Sequence, residues 1–513
     1  MVKQQHLHPE DHYEITALLE SNGWTDQRVQ QQFGFENVFE LARQLWSLGH
    51  EGLAFRTNDY VELEPLWSRL GEYFRQFMRG MVFALPMALS VASMVVLQFS
   101  LWSYQYLSVK TATAIAIGTI LSFWTVGGFM QAIARRGFFY IFQGYYRLAK
   151  ETTFRYIVGG IVTSVVVSLA MYLLNILFPV FPVEMIYIIV LYYFVLNAIW
   201  LSVTAMYILK REFIFTGLIL LGIAMVYVGF VRLHINILEA QLIAMVVLAI
   251  LSLLIVWFLF RREESTKDVG INPSPPRPGF TFYTILPYFA YGFLYYGLLF
   301  IDRIMAWSTN SPYTQYFIWF RGDYEVGLDF ALLTLVIPMG VSEIIVYRIM
   351  NGSLYHQRQF LGRQAEEMNQ LYLSKYFRSL YVMLGVAVSS AVLVYITVKW
   401  LMDHYLLGQN AEILQTVNSN YVFIVGLAAY AVLSVALLNS VMMFSLSRPD
   451  LVLKPLLIAL AVDLVSGFLL TRWIDYTDAV WGLALGSLTF SVLTIQNVRK
   501  VLLTLDYHLY LLS

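Results

Sequence analysis

The sequence predicts an all-α polytopic membrane protein: twelve transmembrane helices arranged as two six-helix bundles, preceded by a small helical domain. Three observations carry this prediction. Hydrophobic residues make up 59% of the 513 and charged residues 13%, against roughly 25% charged in soluble domains. Twelve apolar segments satisfy the requirement of about 20 residues for a helix that crosses a bilayer. A polar, proline-rich stretch, RREESTKDVGINPSPPRPG (261–279), parts the first six from the second six. The expected organisation is a helical domain over 1–70, a first bundle over 71–260, a linker over 261–280 and a second bundle over 281–513.

The N-terminal segment HPEDHYEITALLESNGWTDQRVQQQFGFENVFELARQLW has helical periodicity. Ile15, Leu18 and Leu19 share one face, Val38, Phe39, Leu41 and Ala42 another, with turns at Ser21–Gly23 and Gly34. A stabilising or docking appendage is the expected role. An aromatic, amphipathic segment, LWSRLGEYFRQFMRG (66–80), joins this domain to the first span. The first long apolar run begins near Met81, too late for a cleaved signal peptide. That run is expected to serve as an uncleaved anchor.

The spans are expected near 81–102, 111–133, 155–178, 183–209, 213–231, 237–260, 281–308, 327–350, 380–402, 420–446, 454–473 and 479–498. Of the 33 Lys and Arg residues, 27 lie on the side of the N-terminal tail and the even-numbered connections. The positive-inside rule therefore places both termini in the cytoplasm. Lys110, Arg232, Arg321, Lys399 and Arg472 fall on the other side, and Arg303 alone falls inside a span. Two long cytoplasmic connections, 134–153 and 351–377, mix aromatics with Arg and Lys, as interfacial helices do.

These two connections follow the second and eighth spans, six spans apart, which suggests a duplicated six-span unit. Pro86 and Pro287 each follow a leucine at the same depth, and LNA (Leu196–Ala198) in the fourth span matches LNS (Leu438–Ser440) in the tenth. An even number of spans per unit gives parallel repeats about an axis along the membrane normal.

Candidate functional residues are the polar groups inside spans. In the seventh span Thr284, Tyr288, Tyr291, Tyr295 and Asp302 fall within about 60° at 100° per residue. Hydroxyls need partners when buried, so this ridge, ending in a carboxylate, is expected to line a wet cavity and to contact sugar rings. The bland reading places Asp302 and Arg303 at the outer interface, with Arg303 snorkelling to headgroups. Glu343 in the eighth span and Asp463 in the eleventh are further carboxylates, with Asn197 and Asn439 as repeat-related amides. An intramembrane carboxylate is a default candidate for coupling to H+ or Na+; its alternative is a protonated side chain bonded to a neighbouring helix. Pro86, Pro287 and Pro338 are candidate helix bends, with Pro455 alongside them. Asp323, Glu325 and Asp329 form an outer-loop cluster, expected to be solvated, with a weaker reading as a contact for a cationic substrate.

Other chemistries lack a pattern. The sequence has no cysteine, so disulfides and thiolate metal sites are excluded. No phosphate loop, zinc pattern or nucleophile elbow appears, and no cofactor is expected. His6 and His8 make only a short pair in the tail. Lys and Arg balance Asp and Glu at 33 each, so no bulk field points to nucleic acid.

The run ILPYFAYGFLYYGLLFIDRIMAWS closely resembles the Pel exopolysaccharide exporter family (PelG-like), in which an aromatic helix ends in an acidic–Arg pair followed by Ala-Trp. The likeness extends more diffusely over about 75–510. It implies membership of the MOP (multidrug/oligosaccharidyl-lipid/polysaccharide) superfamily, a MATE-like pair of six-helix bundles around a cavity open to one side at a time. It carries over Asp302 and Arg303 as matching positions without assigning them a role. It also implies an amino-sugar-rich glycan, a cytoplasmic glycosyltransferase and a cyclic-di-GMP-regulated membrane partner. The N-terminal domain of about 70 residues departs from the family pattern and puts partner identity in doubt.

The expected function is a non-enzymatic inner-membrane transporter that moves an exopolysaccharide or lipid-linked glycan by alternating access. A twelve-span small-molecule carrier is the alternative within transport, although ARRG after the second span lacks the acidic and glycine pattern of major-facilitator carriers. A non-transporting scaffold of a polysaccharide synthase is the alternative outside it.

Overall fold

The computed structural model describes residues 11–21, 23–50, 66–81, 85–97, 99–101, 107–267, 277–309, 317–357, 365–405 and 416–510. His6, His8 and the middle of the proline-rich linker lie outside them. Among the described residues every regular element is helical.

Three short helices come first: α1 (His12–Ser21), α2 (Asp26–Phe33) and α3 (Val38–His50). They close on Ile15, Leu19, Val29, Val38, Leu41 and Ala42, with Trp24 and Trp46 packed against that core. Gly34, at φ +76°, ends α2 in the left-handed conformation that glycine adopts without strain. The Asp26 carboxylate then accepts the Val38 N–H at 2.8 Å, which pins the start of α3. Phe39 faces outward rather than joining the core.

Helix α4 (Leu66–Met81) precedes the spans. The first span is represented by α5 (Leu85–Leu97), whose flanking residues 82–84 and 98 lie outside those described. Next come α6 (Val109–Phe142), α7 (Tyr146–Leu177), α8 (Val183–Ile208), α9 (Glu212–Tyr227, with a π turn over Val228–Arg232) and α10 (Ile237–Lys267). The second bundle holds α11 (Pro278–Trp307), a broken eighth span made of α12 (Gly322–Leu332) and α13 (Val336–Gln357), then α14 (Ala365–Tyr405), α15 (Val417–Ser445), α16 (Asp450–Trp473) and α17 (Ala479–Leu502). A short α18 (Leu505–Tyr510) ends the described chain. Eleven of these segments are long and apolar enough to cross a membrane, and with α5 they make the twelve-helix plan.

Two expectations about connections are overturned. The stretch 134–153 is not an in-plane helix: α6 continues through Arg135 and Arg136 to Phe142, and α7 starts at Tyr146. Likewise α13 runs to Gln357, and α14 extends for 41 residues, about 60 Å at 1.5 Å per residue. Aromatic and basic residues there extend the spanning helices beyond their apolar cores.

The bend expected at Pro86 adjoins residues 82–84, which lie outside the described residues. The other prolines act in two different ways. Pro338 cannot bond the carbonyl four residues back, at Thr334. The chain tightens to a 3-10 turn over Leu333–Leu335, and Ser390 of α14 donates its hydroxyl to that freed carbonyl at 2.8 Å. Pro455 frees the Leu451 carbonyl in the same way, and Asn497 of α17 donates to it at 2.6 Å. Pro287 lies inside an otherwise continuous α11.

The chain divides into two compact units: Met1–Phe77 with Glu343–Tyr381 and Val498–Ser513, and Met78–Ser342 with Val382–Asn497. The first unit ties sequence-distant pieces together. The Tyr347 hydroxyl donates to Glu72, Arg348 lies over the Tyr73 ring, and Asn369 bonds both the Leu503 carbonyl and Asp506. The second unit holds most of the spanning helices. There α6 packs against α8 of its own bundle and against α11 of the other, making α6 and α11 the main pair between the halves among the described residues.

Candidate functional site

Helix α11 presents two chemically different faces. The face toward the first bundle carries Phe289, Phe293, Tyr296 and Phe300. Phe123 of α6 stacks on Tyr296 at 5.1 Å and on Phe300 at 5.5 Å between ring centroids, and Trp200 of α8 lies 4.6 Å from Phe123. Trp124 meets Phe293 at 5.7 Å, and Phe129 meets Phe289 edge-on at 5.1 Å. The helices approach this closely because glycines meet: a Cβ on Gly292 would overlap the Gly127 carbonyl, and one on Gly128 would strike the Phe289 ring. The indole nitrogen of Trp124 is buried there without a hydrogen-bond partner.

The opposite face holds the tyrosine ridge, and it faces the second bundle's own interior. Tyr288 and Tyr291 are buried against Phe444 of α15, Tyr291 stacks on Tyr295 at 5.8 Å, and the Tyr291 hydroxyl faces Ser440. The ridge is therefore neither lipid-facing nor the wall of an open chamber in this conformation. Its hydroxyls turn inward, where α15 offers polar groups, and the Tyr291 ring packs on Phe444 and Tyr295. Only its Lys/Arg-rich end touches the first bundle. There Arg135 of α6 lies 5.0 Å over the Tyr288 ring and donates to Ser447 at 2.8 Å, and Arg136 donates to Thr284. At the other end of α6, the Phe320 N–H donates to Thr113 at 3.0 Å.

Asp302 and Arg303 continue the inward face into a buried polar network. The Tyr324 hydroxyl donates to Asp302 Oδ2 at 2.7 Å. Arg303 pairs with Glu325 and, through both terminal nitrogens, with Asp329 at 3.1 Å. Trp307 Nε1 donates to Glu325 Oε1 at 2.9 Å. Arg303 is 6% exposed and Glu325 3%, so the snorkelling and solvated-loop readings are both overturned. The segment GDYEVGLD is no loop but the first turns of α12, which sets Glu325 and Asp329 one turn apart on one face. Helical phasing extended back from Pro338 would have revealed this. Assigning the acids to a loop hid it.

Asp463 lies in α16, fully buried, with both carboxylate oxygens lacking a hydrogen-bond partner, as Asp302 Oδ1 does. The two acids are electrostatic neighbours. Glycines clear the space: Cβ atoms at Gly482 and Gly486 would crowd Asp463 at 2.7 and 2.9 Å. Arg472, at the far end of α16, caps α11 by donating to the Ser308 and Met305 carbonyls. Among the described residues no group of three or more His, Cys, Asp or Glu is disposed to hold a metal ion.

The remaining predicted residues are dispersed. Asn197 donates to Ser164 of α7 at 2.6 Å, and Asn439 to Thr494 of α17 at 3.1 Å, so each ties helices within its own bundle. Their partners are the third and the twelfth spans, which are not repeat equivalents. Glu343 is half-buried on α13, in the other compact unit.

Solved structures share this architecture. A MOP superfamily transporter from Pyrococcus furiosus aligns over 84% of this chain and 96% of its own, at 12% identity and a TM-score of 0.55. A mutant of the Vibrio cholerae MATE transporter VcmN aligns over 85% and 96%, at 16% identity and a TM-score of 0.56. The fold is the MATE/MOP transporter fold. The eukaryotic MATE transporter AtDTX14 is a further neighbour, at 15% identity over 83% of this chain and 93% of its own, with a TM-score of 0.55. No protein-family model matches the sequence, and comparison with curated proteins finds no match.

Proposed function

We propose that this protein is an inner-membrane transporter that moves an exopolysaccharide or lipid-linked glycan by alternating access of its two bundles. One observation carries the reading. The halves of a MATE/MOP fold meet here across stacked aromatic rings and a glycine crossing, between arginine and hydroxyl contacts near the two ends of α6. Ring faces held by dispersion can part without stranding hydrogen bonds, and once parted they suit sugar rings. The resemblance of this helix to the Pel exporter family supplies the finer part of the proposal: an amino-sugar-rich substrate, a partner glycosyltransferase and a cyclic-di-GMP-regulated membrane protein.

Asp302 and Asp463 are the coupling groups in this reading. Three buried carboxylate oxygens without hydrogen-bond partners form a hard-oxygen donor set suited to H+ or Na+. The Arg303–Glu325–Asp329 network holds α11 to α12 and is structural. Termini on the Lys/Arg-rich cytoplasmic side complete the arrangement.

The test is reconstitution in vesicles with labelled glycan, with and without an imposed H+ or Na+ gradient. Gradient-dependent uptake, lost in Asp302→Ala and Asp463→Ala variants that insert normally, is the expected result. Uptake of small solutes with indifference to glycan would favour a small-molecule carrier. No uptake, with stable co-purification of a synthase, would favour the scaffold.

A further inference from the structure

Two adjacent arginines of α6 meet the second bundle without a counter-charge. Arg136 is 8% exposed and donates to the Thr284 hydroxyl, which itself faces the Phe280 and Thr281 carbonyls. Its other contact is the Phe139 ring of its own helix, at 5.9 Å. Arg135 is half-buried, donates to Ser447 and lies over the Tyr288 ring. Thr284 and Tyr288 are one turn apart on α11, so both guanidiniums converge on one patch of that helix. Among the described residues neither arginine joins an ion pair. Four carboxylates at this end are held by other cations: Glu151 by Arg147, Glu263 by Arg211 and Lys267, Glu264 by Lys150 and Asp450 by Arg448. Arg155, Arg261 and Arg262 also lack an acid, but they are exposed and keep their hydration. Arginine is seldom buried unless paired, because desolvating its charge is costly.

We infer that Arg135 and Arg136 form a site for a phosphate ester. In the transport reading, on which this choice of ligand rests, it takes the phosphate that joins a glycan to its lipid carrier. Each guanidinium carries five N–H donors and uses one on a neutral hydroxyl. That leaves a pair of planar forks of the kind that grip phosphate oxygens two at a time. Placement favours a lipid-borne phosphate. Thr284 and Tyr288 lie in the first three turns of the span Gly279–Trp307, next to the headgroup region. A carrier lipid holds its phosphate near that level, whereas a free polymer brings none and a deacetylated, cationic one would be repelled. The phosphate would take the place of the Thr284 and Ser447 hydroxyls, so its arrival also loosens the contact between the halves.

Binding of a labelled polyprenyl-phosphate-linked N-acetylglucosamine to the full-length protein in phosphatidylcholine nanodiscs tests the site. Phosphatidylglycerol and a phosphate-free N-acetylglucosamine oligomer serve as competitors. Expected is binding that the oligomer displaces poorly and that Arg135→Gln weakens about tenfold, as loss of a charge-assisted hydrogen bond does, with Arg136→Gln adding to the loss. Arg135→Gln alone, at a half-buried position, carries the test where the double variant is not recovered. No binding, or wild-type affinity in a folded variant, overturns the site. Displacement by phosphatidylglycerol as effective as by unlabelled probe marks a bulk headgroup as the occupant and overturns the substrate assignment. Vesicle uptake separates this inference from the transport reading. Binding through these arginines with no movement of any glycan removes the transport reading and keeps the site. Uptake of the phosphate-free oligomer, unchanged in the variants, does the reverse.

Discussion

The two faces of α11 solve opposite problems with the same residue class. Toward the first bundle, Phe289, Phe293, Tyr296 and Phe300 meet Phe123, Trp124, Phe129 and Trp200 through ring contacts. Toward its own bundle, Tyr288, Tyr291, Asp302 and Arg303 meet Phe444, Ser440, Tyr324, Glu325 and Asp329, with hydroxyls and charges paired. The first face is held by shape, and separating it strands few polar groups. The second is held by buried charge, and separating it strands many. In the proposed transport cycle a helix built this way would move with the second bundle and part from the first.

The largest expected effect tests the locked face. Arg303→Met leaves Glu325 and Asp329 buried without their cation, which costs about 3–5 kcal/mol for a broken buried pair. A large fall in thermal stability and in monodisperse yield after detergent extraction is expected, with Phe300→Leu changing stability by less than about 1.5 kcal/mol. Similar losses for the two variants would erase the distinction between the faces. A smaller effect tests the seam. Gly292→Ala drives a methyl into the Gly127 carbonyl, and overpacking of this kind costs about 1–3 kcal/mol. Normal membrane insertion with impaired glycan uptake is expected, because the strain falls between the bundles.

A third variant sharpens the account of the second bundle. Asn497→Ala strands the carbonyl that Pro455 frees, at about 1–3 kcal/mol. In a Pro455→Ala background the helix recovers its own bond, so the same substitution should then cost less. A double-mutant cycle on thermal unfolding would show the coupling, and additive losses would reject it. The smallest effect is expected for Arg135→Gln. It removes one bond to Ser447 and a ring contact with Tyr288, together about 1 kcal/mol, read as increased labelling of a cysteine placed at Ser447.

Much of this was legible in the chain. Hydropathy and length placed every span after the first on a helix long and apolar enough to cross a membrane, but they did not place its ends. Helix α6 runs to Phe142, α7 starts at Tyr146 and α14 starts at Ala365 because aromatic and basic residues continue these helices. The eighth span starts at Gly322 because its acids disguised helix as loop. The 60° sector of Thr284, Tyr288, Tyr291, Tyr295 and Asp302 is real. What it faces was not legible, since periodicity says which residues share a side and nothing about what lies opposite. Gly127, Gly128 and Gly292 were overlooked because a glycine in an apolar run looks like filler until two backbones meet at it.

Composition and periodicity by themselves determined that this chain is a bundle of apolar helices and which residues ride together on each, because water and hydrocarbon act on every segment independently. Tertiary structure alone decided that Arg303 neutralises Glu325 and Asp329, that Ser390 and Asn497 satisfy carbonyls freed by prolines, and that aromatic rings rather than hydroxyls line the seam. Such pairings depend on distance between segments far apart in sequence, and distance exists only once the helices have packed.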